Sequence, residues 1–178
     1  MKFSTPLTEI ISNGRVYSRS HFQPQRIILH KEGVDQTDLI VRLSFQTHVY
    51  SVSSTGLVAG EATFNDEGGS LREFCPERYS LSLSLPNICQ SMIENNYPTW
   101  ESKDRNKASH MTVTEFPVQT GDKYHIFYEV FPSLARGVHI ELSIKSAYSK
   151  FLNAAKTGRR SKVKQIIKKS YYDRQRYP

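Results

Sequence analysis

His48 stands where acid–base chemistry is to be expected. It lies in Thr47-His48-Val49-Tyr50-Ser51, at the end of a predicted strand and on its polar face. A histidine gains and loses a proton near neutral pH, so it serves as a general base or acid. Ser146 and Tyr148, in Ser146-Ala147-Tyr148, are two residues apart, and in an extended strand both hydroxyls share one face and reach a phosphate or a ribose together. Arg78, in Phe74-Cys75-Pro76-Glu77-Arg78-Tyr79, offers a planar guanidinium for phosphate charge. Each also has a plainer alternative. His48 is then a surface residue, Tyr148 a core ring at a strand end, and Arg78 the partner of a local acid. His125 and His139 fall on neighbouring strands and read equally as candidates of the same kind or as cross-strand surface residues.

The second signal is charge. The chain carries a net +7, but from Lys150 to Pro178 there are ten Lys/Arg against the single acid Asp173, so this stretch holds the whole excess. Arg159, Arg160, Lys162, Lys164, Lys168, Lys169, Arg174 and Arg176 alternate with Tyr171 and Tyr172. Cations meet phosphates and rings stack on bases, so the mixture suits RNA or another nucleic acid, single strands above all. It equally suits an acidic protein surface or a plain solvated helix.

The elements that must position these groups follow from periodicity. Leu39, Val41, Leu43 and Phe45 alternate within 38–54 and mark a half-buried strand. Met111–Val118, Lys123–Phe131 and Val138–Ser146 read as three consecutive strands, economically an antiparallel meander. Cys75–Asn95 is ambiguous between strand and helix over 76–86. Leu81, Leu85, Ile88 and Met92 favour a helix, restarted at Pro86. Residues 5–12 read as a short helix stopped by Asn13-Gly14, Ile27-Ile28-Leu29 as a strand, and 61–73 and 95–109 as polar loops. Tyr148–Tyr172 reads as a helix interrupted near Gly158, with Val163, Ile166, Ile167 and Tyr171 as its apolar stripe. The expected fold is α+β. A central antiparallel sheet with one or two packing helices forms a single domain over 1–149, and 150–178 forms a basic C-terminal arm or helix.

At 178 residues the chain can bury a proper core. Two cysteines, Cys75 and Cys89, make no disulfide framework, which predicts a reducing, cytoplasmic setting. No secretory h-region and no run of 18 apolar residues is present, so neither a signal peptide nor a membrane span is expected. Gly60, Gly68-Gly69 and Gly121 fit no phosphate-binding or dinucleotide fingerprint, and no zinc-type spacing occurs. No cofactor and no metal is expected.

The strand closing in Ser-Ala-Tyr resembles the last strand of small bacterial ribonuclease toxins of the barnase, EndoU and RelE-like kinds. With Phe-Cys-Pro-Glu-Arg-Tyr it also resembles effector proteins carried on mobile elements. The likeness covers roughly 38–149. It implies metal-free RNA cleavage, with His48 as general base or acid, Arg78 stabilising the developing charge, and Ser146 and Tyr148 positioning the phosphate. It further implies a toxin-like effector held in check by an inhibitory protein or ribonucleoprotein, as in toxin–antitoxin, prophage or retron-type defence elements. The alternative is a non-catalytic nucleic-acid or RNA–protein binding module that uses its basic C-terminal segment for affinity.

Overall fold

Tyr124, Ile126, Tyr128 and Val130 fall on one parity of a strand, and each is almost fully buried. They lie at the centre of a computed structural model that describes residues 8–54, 62–104, 107–114, 123–150 and 157–177. In chain order the strands are β1 (Glu9–Ser12), β2 (Arg15–Ser18), β3 (Gln25–Leu29), β4 (Leu39–Phe45), β5 (Ser51–Ser53), β6 (Thr63–Asn65) and β7 (Leu71–Phe74). Helices α1 (Pro76–Ser82) and α2 (Leu85–Glu94) follow. Then come β8 (Pro98–Asp104), β9 (Lys107–Thr114), β10 (Lys123–Pro132), β11 (Ile140–Lys150), β12 (Thr157–Lys162) and helix α3 (Val163–Asp173).

The fold is α+β and dominated by sheet. Seven strands pair in the order β12-β8-β9-β10-β11-β4-β3. The expected meander is there as β9-β10-β11, although residues 115–118 lie outside the described residues. All neighbours are antiparallel except β11 and β4, which run parallel from Ile140↔Val41 to Ile144↔Phe45. Leu39, Val41 and Leu43 are completely buried at this junction, as their alternation predicts. On one face Leu85, Cys89, Met92 and Ile93 of α2 join Val163, Ile166, Ile167 and Tyr171 of α3 in the core. The other face is polar. There Arg42 Nε donates to Glu141 at 2.8 Å, and Gln46 donates to Ser143 at 3.2 Å.

One irregularity decides what β11 presents. The pairing jumps from Phe127↔Ser146 to Tyr128↔Ile144, which leaves Lys145 as an extra residue. Such a bulge shifts the alternation by one. Ile140, Leu142 and Ile144 face the helices before it, and Ala147 does so after it. Ser146 and Tyr148 therefore point to the polar face.

Several expectations need correction. Residues 9–12 are a strand, not a helix. Asn13 and Gly14 both take positive φ (51° and 70°), the two-residue hairpin geometry that Asn-Gly favours, and join β1 to β2. The supposed loops at 61–73 and 95–109 contain β6, β7, β8 and the start of β9. His48 lies in a single 3-10 turn, Thr47–Val49, and not on a strand. The ambiguous 76–86 is helical, with Pro86 in the first turn of α2, where a missing N–H costs nothing. The helix expected over 148–172 begins only at Val163. Of the described residues before it, 148–150 belong to β11 and 157–162 to β12, and Gly158 sits where an added Cβ would lie 3.0 Å from the Glu101 carbonyl. The basic segment is thus no appended arm: β12 is an edge strand of the sheet, and α3 supplies four core side chains. No helix among the described residues is long and apolar enough to cross a membrane.

Candidate functional site

Where β4 ends, the Gln46 N–H donates to the Ile144 carbonyl at 2.9 Å and pins the 3-10 turn beside β11. The β6–β7 turn clasps it from the other side. Thr47 donates through its N–H and its hydroxyl to the two oxygens of Glu67, both at 2.8 Å. Asp66 accepts from the N–H groups of Gly68 and Ser70 on one oxygen, and its other oxygen lies 2.8 Å from His48 Nε2. Burial alone would raise the Asp66 carboxyl. The bonds from His48, Ser70 and Gly68 outweigh it and hold the group below its ordinary value. A carboxylate only accepts, so Nε2 carries the proton in this pair, and in the neutral imidazole Nδ1 holds the lone pair. Nδ1 has no hydrogen-bond partner among the described residues, and the His48 side chain is 37% exposed. A carboxylate on one imidazole nitrogen and an open lone pair on the other is the arrangement of an oriented general base.

Arg78 joins this turn to β11. Its Nη1 donates to the carbonyls of His48 (3.2 Å) and Ser51 (2.8 Å), and its guanidinium carbon lies 5.1 Å from the centre of the Tyr148 ring. Tyr148 in turn stacks on Phe127 at 5.2 Å and 21°. Beside it Arg72 is buried and donates to Ser51 Oγ, Ser51 O and Ser53 Oγ. Burial, and to a lesser degree the like charge of Arg78, pulls Arg72 below the usual arginine range, against the attraction of Asp66 and Glu67. Two guanidinium groups therefore converge on the Ser51 carbonyl, and neither makes an ion pair among the described residues. Such a spot favours an incoming anion.

Three of the four residues singled out from sequence are thus linked: His48 through its carbonyl, Arg78 between, and Tyr148 through its ring. Ser146 shares the Tyr148 face but lies opposite Phe127, further along β11. Asp66 and Arg72 escape sequence reasoning. The only trace of Asp66 is its place before Glu67-Gly68-Gly69 in a segment read as loop. Arg72 sits on the inner side of a four-residue strand too short to show alternation.

The basic set divides. Arg159, Arg160, Lys162, Lys169, Tyr172, Arg174 and Arg176 are exposed, and Lys164 and Lys168 are half-buried. Tyr171 is buried, so it has no face left for a base. Lys168 is paired with Glu32, and Arg176 lies 3.6 Å from Glu129 and above the Phe131 ring. Arg174 rests on Tyr171, Lys169 on Tyr177, and Arg160 on Trp100. Arg159, Ser161, Gln165 and Lys169, with Glu101, Ile166 and Tyr177, line a cleft of about 230 Å3 between β12 and α3.

Residues 8–171 match the model of the YjaZ family. The chain belongs to the YjaZ family. The match runs from before β1 into α3, so the His48–Asp66 pair and the basic edge strand β12 both lie within the YjaZ segment. The chain matches no curated protein and no solved structure.

The Asp66 clasp carries a pH signature. With its folded-state pKa lowered, Asp66 stabilises the fold in full above its unfolded value of 3.8. That contribution disappears as the pH falls through the lower folded-state value. Thermal melts of Asp66→Asn against the parent should show a lower Tm at pH 7 and a gap that closes below about pH 4. A gap that stays constant down to pH 3 would deny Asp66 this role.

Proposed function

We propose that this protein acts on RNA as a metal-independent endoribonuclease, with His48 as its general base. The observation that carries the reading is the chain of contacts from Asp66 through His48 and Arg78 to Tyr148. It supports the reading because the Asp66-bonded imidazole belongs to the residue whose backbone carbonyl holds Arg78, and the Arg78 guanidinium lies over the Tyr148 ring. In the proposed step His48 Nδ1 takes the proton of a ribose 2′-hydroxyl. The 2′-oxygen bonds to phosphorus and the bond to the 5′-oxygen breaks. The products are a 2′,3′-cyclic phosphate and a 5′-hydroxyl, whose proton comes from solvent. Arg78 offsets the charge that builds on the phosphoryl oxygens, Asp66 stabilises the imidazolium, and Tyr148 and Ser146 position the phosphate. Exposed cations of β12 and α3 hold the remaining phosphates. Such a nuclease works in the cytoplasm and needs a partner, an inhibitory protein or ribonucleoprotein, to hold it in check. The free thiols of Cys75 and Cys89 agree with that compartment.

A second reading has its own support. With Thr47–Glu67, the His48–Asp66 bond is also a good structural clasp, and the protein is then an RNA-binding module without turnover. Turnover separates the two. Protein incubated with labelled RNA in excess chelator should give cyclic-phosphate ends in many-fold excess over protein. Stoichiometric complex without product would leave the binding module and sink the nuclease.

A further inference from the structure

The sheet register places residues from five strands in one lateral row. Arg160 of β12 is opposite Trp100 of β8, and Trp100 is opposite Met111 of β9. Met111 is opposite Phe127 of β10, which is opposite Ser146 of β11. Directly opposed residues share a face. For Trp100, Phe127 and Ser146 it is the polar face, because their chain neighbours Thr99, Ile126 and Ala147 are buried on the helix side. Trp100 and Phe127 are only half-buried. The row crosses four inter-strand gaps, about 19 Å. Each end carries a cation on a ring. The Arg160 guanidinium carbon lies 5.8 Å from the centre of the Trp100 ring. At the other end Phe127 stacks on Tyr148, and Arg78 lies over Tyr148.

We infer that this row is a platform for single-stranded RNA, which crosses the strands of the sheet and delivers one phosphate to the His48 site. Bases stack on Trp100 and on the Phe127–Tyr148 pair, while the backbone passes Arg160 at one end and Arg78 at the other. Rings spaced along a sheet, with cations beside them, bind unpaired bases whatever their sequence. A duplex hides its base faces within its own stack and is excluded. The inference rests on the RNA reading above and adds the form of the substrate and its path. It also gives the basic segment a purpose in the fold: β12 brings Arg160 to the start of the row.

Trp100 is the sole tryptophan, so its emission reports on the platform directly. The probe is a 12-nucleotide RNA with 2′-O-methyl sugars, which binds but cannot be cleaved, offered as a single strand and as a duplex. The single strand should quench Trp100 and the duplex should not. Phe127→Ala should weaken single-strand binding about tenfold or more. Phe127→Tyr should restore it, which separates loss of the ring from loss of the fold. Unchanged emission while unmodified RNA is still cleaved would overturn the platform and leave the nuclease intact. Quenching without cleavage of unmodified RNA would support the platform and remove the nuclease. A Phe127→Tyr variant as weak as Phe127→Ala would also overturn the platform.

Discussion

His48→Ala should slow RNA cleavage by about 10²- to 10⁴-fold, the usual contribution of a general base. Asp66→Asn should cost nearly as much, although it hardly changes the shape of the site. The Asp66 carboxylate only accepts, so it keeps the proton on Nε2 and the lone pair on Nδ1. An asparagine amide can turn its NH₂ towards Nε2. The imidazole then carries its proton on Nδ1, and the base is lost by tautomer rather than by deletion. The double variant should be no slower than His48→Ala alone, because the two residues act as one unit. Initial rates on a labelled RNA, with circular dichroism to confirm the folded fraction, decide the matter. If the pair is only a clasp, the rates will follow the folded fraction and nothing else. A His48→Ala enzyme that is folded and fully active would end the role given to His48.

How much of this was legible depended on the range over which each pattern acts. Leu39 to Phe45 and Val163 to Tyr171 show their faces locally, since one side of each is buried in the main core. The strands β6, β7 and β8 do not. Their buried positions include Arg72, Thr99 and Ser102, polar residues satisfied by hydrogen bonds or by neighbouring strands, so hydrophobic alternation is missing where pairing is real. Asn13-Gly14 was legible as a turn, but the same pair stops helices and closes hairpins. Only the partner strand, with Val16 opposite Ile11, decides between them. The parallel pairing of β4 with β11 joins residues about a hundred positions apart and leaves no local mark. It is also what brings the turn after β4 beside Ser146 and Tyr148. Candidate residue types could be singled out from sequence, therefore, but Asp66, the partner of His48 Nε2, appears only once the β6–β7 turn is folded against that turn.

Deleting residues 157–178 should leave a chain that no longer folds, although it removes the segment that looked most dispensable. Val163, Ile166, Ile167 and Tyr171 are all buried against the sheet. At about 1.5–3 kcal/mol for each fully buried side chain, they contribute roughly 6–12 kcal/mol. That is comparable to the whole stability of an ordinary domain, about 5–15 kcal/mol. The deletion also strips β12 from the edge of β8, and it removes the paired backbone bonds between Val130 and Tyr177, at 2.8 and 2.7 Å. A milder test separates packing from charge. Ile167→Ala, at a completely buried position, should cost about 2–5 kcal/mol in urea denaturation. Arg160→Ala, at an exposed position of the edge strand, should stay within about 0.5 kcal/mol. In RNA binding the order should reverse: the folded fraction of Ile167→Ala binds normally, and Arg160→Ala loses affinity and lowers the salt dependence. A truncated chain that melts cooperatively at the parental temperature would return the basic segment to the status of a loose arm. The lateral row would then lose its first cation and its edge strand together.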